Sequence, residues 1–142
     1  MYQQTNKVVI KQYTRCITTM ARFDYPERWP TLLTADIPNA LNSKNEKGIY
    51  TGLLALFGLV KKYEYEMDED REPLNQILSN SFGILGDLIN MLIDHTQNEI
   101  ALSILHLICK VFYVSNQLLL APSLTQPGAL DPWMGFFKKL LD

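Results

Sequence analysis

No stretch of this chain alternates apolar and polar residues as a half-buried strand must, whereas apolar residues recur at helical spacing along nearly its whole length. In the first segment Val9, Tyr13, Cys16, Ile17 and Met20 share one face. A shorter second segment carries Trp29, Leu32, Leu33, Ile37 and Leu41, and Pro38 should kink or restart it because proline lacks the backbone donor. The third, over about residues 46–65, has Ile49, Leu53, Leu56, Phe57 and Val60 on one stripe and Tyr50, Leu54 and Leu59 on the rest. A helix apolar nearly all round must be buried between neighbours on two sides. The fourth, 73–94, sets Leu74, Ile77, Leu78, Leu85 and Leu88 against a polar side of Asn75, Ser79, Asn80, Asp87 and Asn90. The fifth spans about 98–118. A short last helix with Trp133, Phe136, Phe137 and Leu140 follows a loop containing Pro122, Pro127 and Gly128. The pattern predicts six helices and no sheet.

Asp24-Tyr25-Pro26-Glu27, Glu72-Pro73 and Asp131-Pro132 all read as helix starts. An acid there accepts bonds from orphan N–H groups and favours the positive helix end, and proline is tolerated in the first turn. The three prolines lie 47 and 59 positions apart. Each opens the more one-sided member of a helix pair whose first member begins near residue 5, 46 or 98. The first spacing is close to the period of about 40–47 of helical-pair solenoids, and the loop at 119–130 stretches the second. The fold expected is all-α, an α-solenoid of antiparallel helix pairs with approximate repeats 1–43, 44–95 and 96–142.

At 142 residues and 47% hydrophobic, the chain is one unit with enough apolar surface for a core. Its net charge of −2 gives no basic field for nucleic acid, but the charge is unevenly spread. Residues 1–62 carry nine Lys/Arg and four Asp/Glu, and residues 63–131 carry two and ten. Asp68, Glu69, Asp70 and Glu72 crowd one stretch beside Glu64 and Glu66, interrupted only by Arg71. That stretch is either a solvated loop or an acidic surface that attracts a basic partner over roughly a Debye length, about 10 Å. Cys16 and Cys109 have no metal or redox spacing, the N-terminus does not read as a signal peptide, and the uncharged run 111–130 is too polar and proline-broken to cross a membrane. A soluble intracellular protein is the expectation, without membrane insertion.

Sites for chemistry are sparse. There is no phosphate-binding glycine loop and no dinucleotide fingerprint. Gly83 and Gly86 read as residues that let helices pack closely. His95 falls at a helix C-terminus and His106 mid-helix, neither with a partner spaced to complete a metal site. Cys109 reads as a small core residue. The sequence offers no catalytic, cofactor-binding or metal-ligating group, so an enzyme is not expected. Trp29 and Trp133 read as core anchors of their helices, with an exposed aromatic that receives a partner's side chain as the alternative.

Asp-Tyr-Pro-Glu-Arg-Trp-Pro-Thr-Leu-Leu at 24–33 resembles the signature of early HEAT repeats in importin-β superfamily nuclear transport receptors. Leu-Val-Lys-Lys-Tyr-Glu-Tyr at 59–65, followed by acid, Arg71 and Pro73, is similar to the branch containing importins seven and eight, as are Leu-Ile-Cys-Lys-Val-Phe-Tyr at 107–113 and Trp133-Met134. The resemblance implies HEAT-type helix pairs that form part of a longer solenoid, with second helices on a concave face that grips the GTPase Ran and cargo. On that mapping Glu27, Arg28, Asn80, Asp87, Asn90, Asp94, Lys138 and Lys139 are candidate protein-binding residues. Seams between the first, third and fifth helices become candidate pockets for nucleoporin Phe-Gly repeats. Basic cargo of ribosomal-protein or histone type would suit the acidic region, and shuttling between cytoplasm and nucleus through the pore would follow. A HEAT scaffold indifferent to Ran, or an exportin of the same superfamily, are the other readings.

Overall fold

The structure is a computed structural model that describes residues 2–141. It contains α1 (Tyr2–Asp24), α2 (Ile37–Leu41), α3 (Glu46–Tyr63), α4 (Glu72–Leu92), α5 (Glu99–Asn116) and α6 (Asp131–Leu141), joined by short turns. Among the described residues there is no strand. In one layer α1, α3 and α5 lie side by side, while α2 and α4 pack beneath them, and α6 docks on α4 and α5. This is an all-α stack of helix pairs of the HEAT type.

The stack is organised by α3. Leu53, Leu56, Leu59 and Val60 are fully buried, and Ile49, Leu54 and Ala55 nearly so. The glycines of α3 let its neighbours approach. A Cβ on Gly58 would stand 2.5 Å from the Thr18 carbonyl oxygen of α1, and one on Gly52 would stand 2.9 Å from the Ala40 Cβ of α2. Across the same α1–α3 seam the Tyr13 and Thr51 hydroxyls hydrogen-bond at 2.6 Å. In α5, Ile104, Leu105, Ile108 and Val111 are buried. By length and composition α5 resembles a membrane span, yet this side of it is committed to the core shared with α3 and α4. Five rings close the other end. Trp133 and Phe137 of α6 lie 4.5 and 5.1 Å from Phe112 of α5, Trp133 lies 5.2 Å from Phe82 of α4, and Phe136 stands beside Phe137. Trp133 is therefore a core anchor. Trp29 is half-buried, and its indole N–H donates to Asp36 at 2.7 Å.

Three expectations are corrected here. First, Asp24-Tyr25-Pro26-Glu27 does not start a helix. Asp24 ends α1, and its carbonyl accepts from both Arg28 and Trp29, which closes residues 25–29 into a turn. Trp29 and Thr31 then both donate to the Asp36 carboxylate, and the helical backbone begins as a π-turn at Leu32–Asp36 that Pro38 restarts as α2. Second, helices do start at Glu72-Pro73 and Asp131-Pro132, but Glu72 is not a cap. It lies inside α4, and the cap position holds Arg71 without a capping bond, whereas Asn45 and Asn98 cap α3 and α5 through bonds from Lys47, and from Ile100 and Ala101. Third, the face of Val9, Tyr13, Cys16 and Met20 is exposed, and α1 turns Ala21 and part of Ile17 to the core instead.

Gly58→Ala sets a methyl against fixed backbone, so we expect a net loss of about 1–3 kcal/mol in urea unfolding despite alanine's better helix propensity. The stack also leaves apolar residues open at both ends, with Val8, Val9, Ile10, Met20 and Phe23 on α1 and Met134 and Leu141 on α6. A solenoid exposes such faces wherever a neighbouring repeat is missing. Sedimentation velocity should show self-association that grows with concentration and persists in high salt; a monomer throughout would contradict this.

Candidate protein-interaction sites

The connection between α3 and α4 gathers charge at one edge of the stack. Asp68–Arg71 forms a 3-10 turn in which Asp68, Glu69 and Asp70 are exposed, as is Glu72 at the start of α4. Arg71 is turned inward and buried. Its Nη2 donates to the Ser115 carbonyl at 2.6 Å and the Leu119 carbonyl at 2.7 Å, at the C-terminal end of α5. Its Nε and Nη1 have no protein partner, and burial pulls the guanidinium pKa below its ordinary value. A cation is favoured there, because the last carbonyls of a helix are unpaired and carry its negative end. Two further lysines tie the same connection to its neighbours. Lys62 donates to the Tyr25 carbonyl, and Lys61 pairs at 3.0 Å with buried Glu64, which also accepts from Gln117 at 3.2 Å. Arg71, Lys61 and Lys62 are thus engaged within the protein, as is Glu64, whereas Asp68, Glu69, Asp70 and Glu72 face water.

Tyr63 lies against this edge. Burial raises its phenol pKa first, and the neighbouring Tyr25, Glu27 and Glu66 raise it further. Glu27 and Arg28, expected on the second helix, sit in the turn that follows α1; Glu27 contributes to the acidic edge, and Arg28 makes a loose 3.8 Å pair with Asp24.

Two grooves occupy different layers. One, of about 350 Å³, runs between α4 and the start of α6 and is roofed at one side by residues 123–132. Asp87 and Asn90 line it, with Phe82 and Trp133 as aromatic walls and Gly83 and Gly86 between them. The expectation that these glycines permit close helix packing is overturned, since a Cβ on either would meet nothing within 4 Å. Glycine inside a helix costs about 0.8–1.0 kcal/mol relative to alanine, and at these two positions no internal contact offsets it. The other groove, of about 490 Å³, is lined by α1, α3 and α5 alone, with Tyr50 and Phe57 facing Leu102, His106 and Lys110.

The remaining candidates are scattered. Asn80 is exposed on α4 outside the groove lining. Asp94 accepts from Lys139 at 2.9 Å, and that bond and charge hold its carboxyl below the usual range. The pair is exposed and screened, so it adds little to stability. Lys138 is exposed. His95 ends a 3-10 turn after α4, and His106 is exposed mid-helix. Cys109 is half-buried, and burial pushes its thiol pKa up, which disfavours the thiolate. Among the described residues no group of three His, Cys, Asp or Glu could hold a metal ion. The sequence did not point to the inward turn of Arg71 or to the open glycine floor. A basic residue inside an acid run was the available signal for the first; nothing signalled the second.

Two grooves and a charged edge thus lie on a stack of HEAT-type helix pairs. The chain is 34% identical over 142 residues to an importin beta-like SAD2 homolog of Arabidopsis thaliana, a match covering 98% of this chain and 13% of that protein. It is 31% identical to importin-8 of Mus musculus over 92% of this chain and 13% of that protein. With a probable importin-7 homolog of Dictyostelium discoideum it shares 27% identity, over 96% of this chain and 13% of that protein. No protein-family model matches the chain, and no solved structure does. Over nearly its whole length the chain is thus related to proteins of the importin-β family, and it spans about an eighth of the length of these curated relatives.

Arg71→Ala leaves the Ser115 and Leu119 carbonyls without their charged donor, and we expect a loss of about 2–4 kcal/mol from the urea midpoint. Asp68→Ser or Glu69→Ser, at exposed positions, should stay within about 0.5 kcal/mol of the parent.

Proposed function

We propose that this chain is a segment of a nuclear import receptor that binds basic protein cargo and GTP-loaded Ran, with no chemistry of its own. The likeness to importins over nearly the whole chain carries this reading. The division of charge supports it, because exposed Asp68, Glu69, Asp70 and Glu72 present acid to solvent while Lys61 and Arg71 are engaged within the protein. An acidic edge raises the encounter rate with a basic partner and lets salt weaken it. In this reading the repeats run approximately 1–43, 44–95 and 96–142. The groove across α1, α3 and α5 is the seam for nucleoporin Phe-Gly repeats, the α4–α6 side faces cargo and Ran, and the receptor shuttles between cytoplasm and nucleus.

Calorimetric titration with Ran loaded with GTP and then with GDP tests the reading, and GTP-selective binding is the expected outcome. Equal binding of both forms would favour a Ran-indifferent scaffold, and tighter cargo binding in the presence of Ran-GTP would favour an exportin. Changing Asp68, Glu69, Asp70 and Glu72 together to Ser should weaken binding of a histone and flatten its salt dependence. Unchanged affinity at low salt would remove the loop from cargo recruitment.

A further inference from the structure

We infer that the groove across α1, α3 and α5 selects an acidic segment of a partner protein. One large apolar side chain of that segment seats against Tyr50, Leu54 and Phe57, and carboxylates beside it reach Lys110 and Lys11. The inference rests on the reading of this groove as a seam that accepts a partner's Phe, and it adds the charge that the occupant must carry.

Three observations converge on it. The first is charge. Lys110 and His106 line the groove, and no Asp or Glu does. Glu99 lies a turn away at the start of α5, outside the lining. On α1 the exposed charged residues are Lys11, Arg15 and Arg22, all basic. Lys11 stands three residues before Thr14 of the lining and so shares its helix face. Among the described residues neither Lys11 nor Lys110 is in an ion pair, whereas beyond Phe57 the carboxylate of Glu64 is held by Lys61. Unpaired cations at the rim of an apolar cleft favour an anionic partner. The second observation is the cleft itself. Leu54 and Leu107 are buried, Tyr50 and Phe57 are half-buried, and Leu102 is 47% exposed. The volume of about 490 Å³ lies within the range of formed binding pockets and leaves room for a Phe or Leu side chain. The third is the polar edge. His106 keeps an N–H donor in either protonation state. The Ser103 hydroxyl donates to the Glu99 carbonyl at 2.8 Å, so its oxygen is left to accept a peptide N–H. A carboxylate and a peptide backbone both need such partners when they leave water.

The test uses the whole 142-residue chain and three unlabelled peptides. The first is Gly-Asp-Glu-Phe-Gly-Glu-Asp-Gly, the second replaces its acids with Asn and Gln, and the third replaces its Phe with Ala. Calorimetric titration gives the affinities at low and moderate salt, and thermal melting reports the fold. At low salt the acidic Phe peptide should bind about tenfold or more tighter than either copy, and its advantage over the uncharged copy should shrink as salt rises. Lys110→Glu, at an exposed position, should keep the melting temperature, remove most of that advantage and leave the uncharged copy unchanged. Lys11→Glu should act in the same direction. Ser103→Trp, also at an exposed position, lays an indole over the groove and should weaken the acidic Phe peptide at an unchanged melting temperature.

If the uncharged copy binds as tightly as the acidic peptide and Lys110→Glu changes nothing, the charge assignment is overturned and the Phe-Gly seam stands. If the Ala copy binds as tightly as the Phe peptide, or Ser103→Trp leaves binding intact, the attraction lies outside the groove and the inference is overturned. If the parent chain binds none of the three peptides at low salt, the seam reading and the inference fall together.

Discussion

A helix with no polar face cannot rest on a surface, and α3 is such a helix. With Leu53, Leu56, Leu59 and Val60 sealed from water, it needs apolar neighbours on several sides at once, and the stack of helix pairs is one way to provide them. α1 and α5 flank it, and α2 and α4 close it from beneath. The close approach at Gly58 and Gly52 sets how tightly the first pair can meet it. Everything peripheral follows from that arrangement, including which seams stay open as grooves and which faces of α1 and α6 remain bare. Hydrophobic burial supplies most of the drive, but the absence of side chains at two positions decides the register of contact.

Polar interactions then fix how one pair meets the next. At the end of α3 Lys62 reaches the turn after α1, and in the α3–α4 connection Glu64, paired with Lys61, and Arg71 reach the end of α5. The Arg71 bonds go to carbonyls at the last turn of α5 and just past it, where helix carbonyls lack intrahelical donors. A consequence is that Lys61, Lys62 and Arg71 are occupied within the fold, while Asp68, Glu69, Asp70 and Glu72 are left in solvent. The small net charge of −2 therefore understates how acidic this edge is to an approaching partner.

Much of the fold was legible from period alone, because a helix buried on one side repeats its apolar residues at a spacing that no strand shares. α3, α4 and α5 fall where that spacing places them, and Pro38 restarts the second segment. The misread start at Asp24 has a physical cause. A capping pattern describes what an acid can do if the following backbone turns helical, whereas here the Asp24 carbonyl captures Arg28 and Trp29 and the carboxylate of Asp36 captures Trp29 and Thr31. Of the candidate binding residues, only Asp87 and Asn90 come together in one groove. Glu27 moved to the acidic edge, and Asp94 with Lys139 formed a surface pair.

The sequence by itself determined the helical class, the burial of the third helix, the acidic stretch and the resemblance to importins, because each is written in local spacing and residue type. Only the tertiary structure decided which glycines lie against a neighbour and which lie open. It also decided whether Arg71 faces the core or the solvent, and which apolar stripe of α1 is buried. These depend on what a second element brings within a few ångströms, and residue type does not encode that distance. Gly58 and Gly83 are the same residue in the same kind of helix. One is pressed against the Thr18 carbonyl and the other faces empty space, so the first lets two helices meet closely and the second leaves the helix surface open.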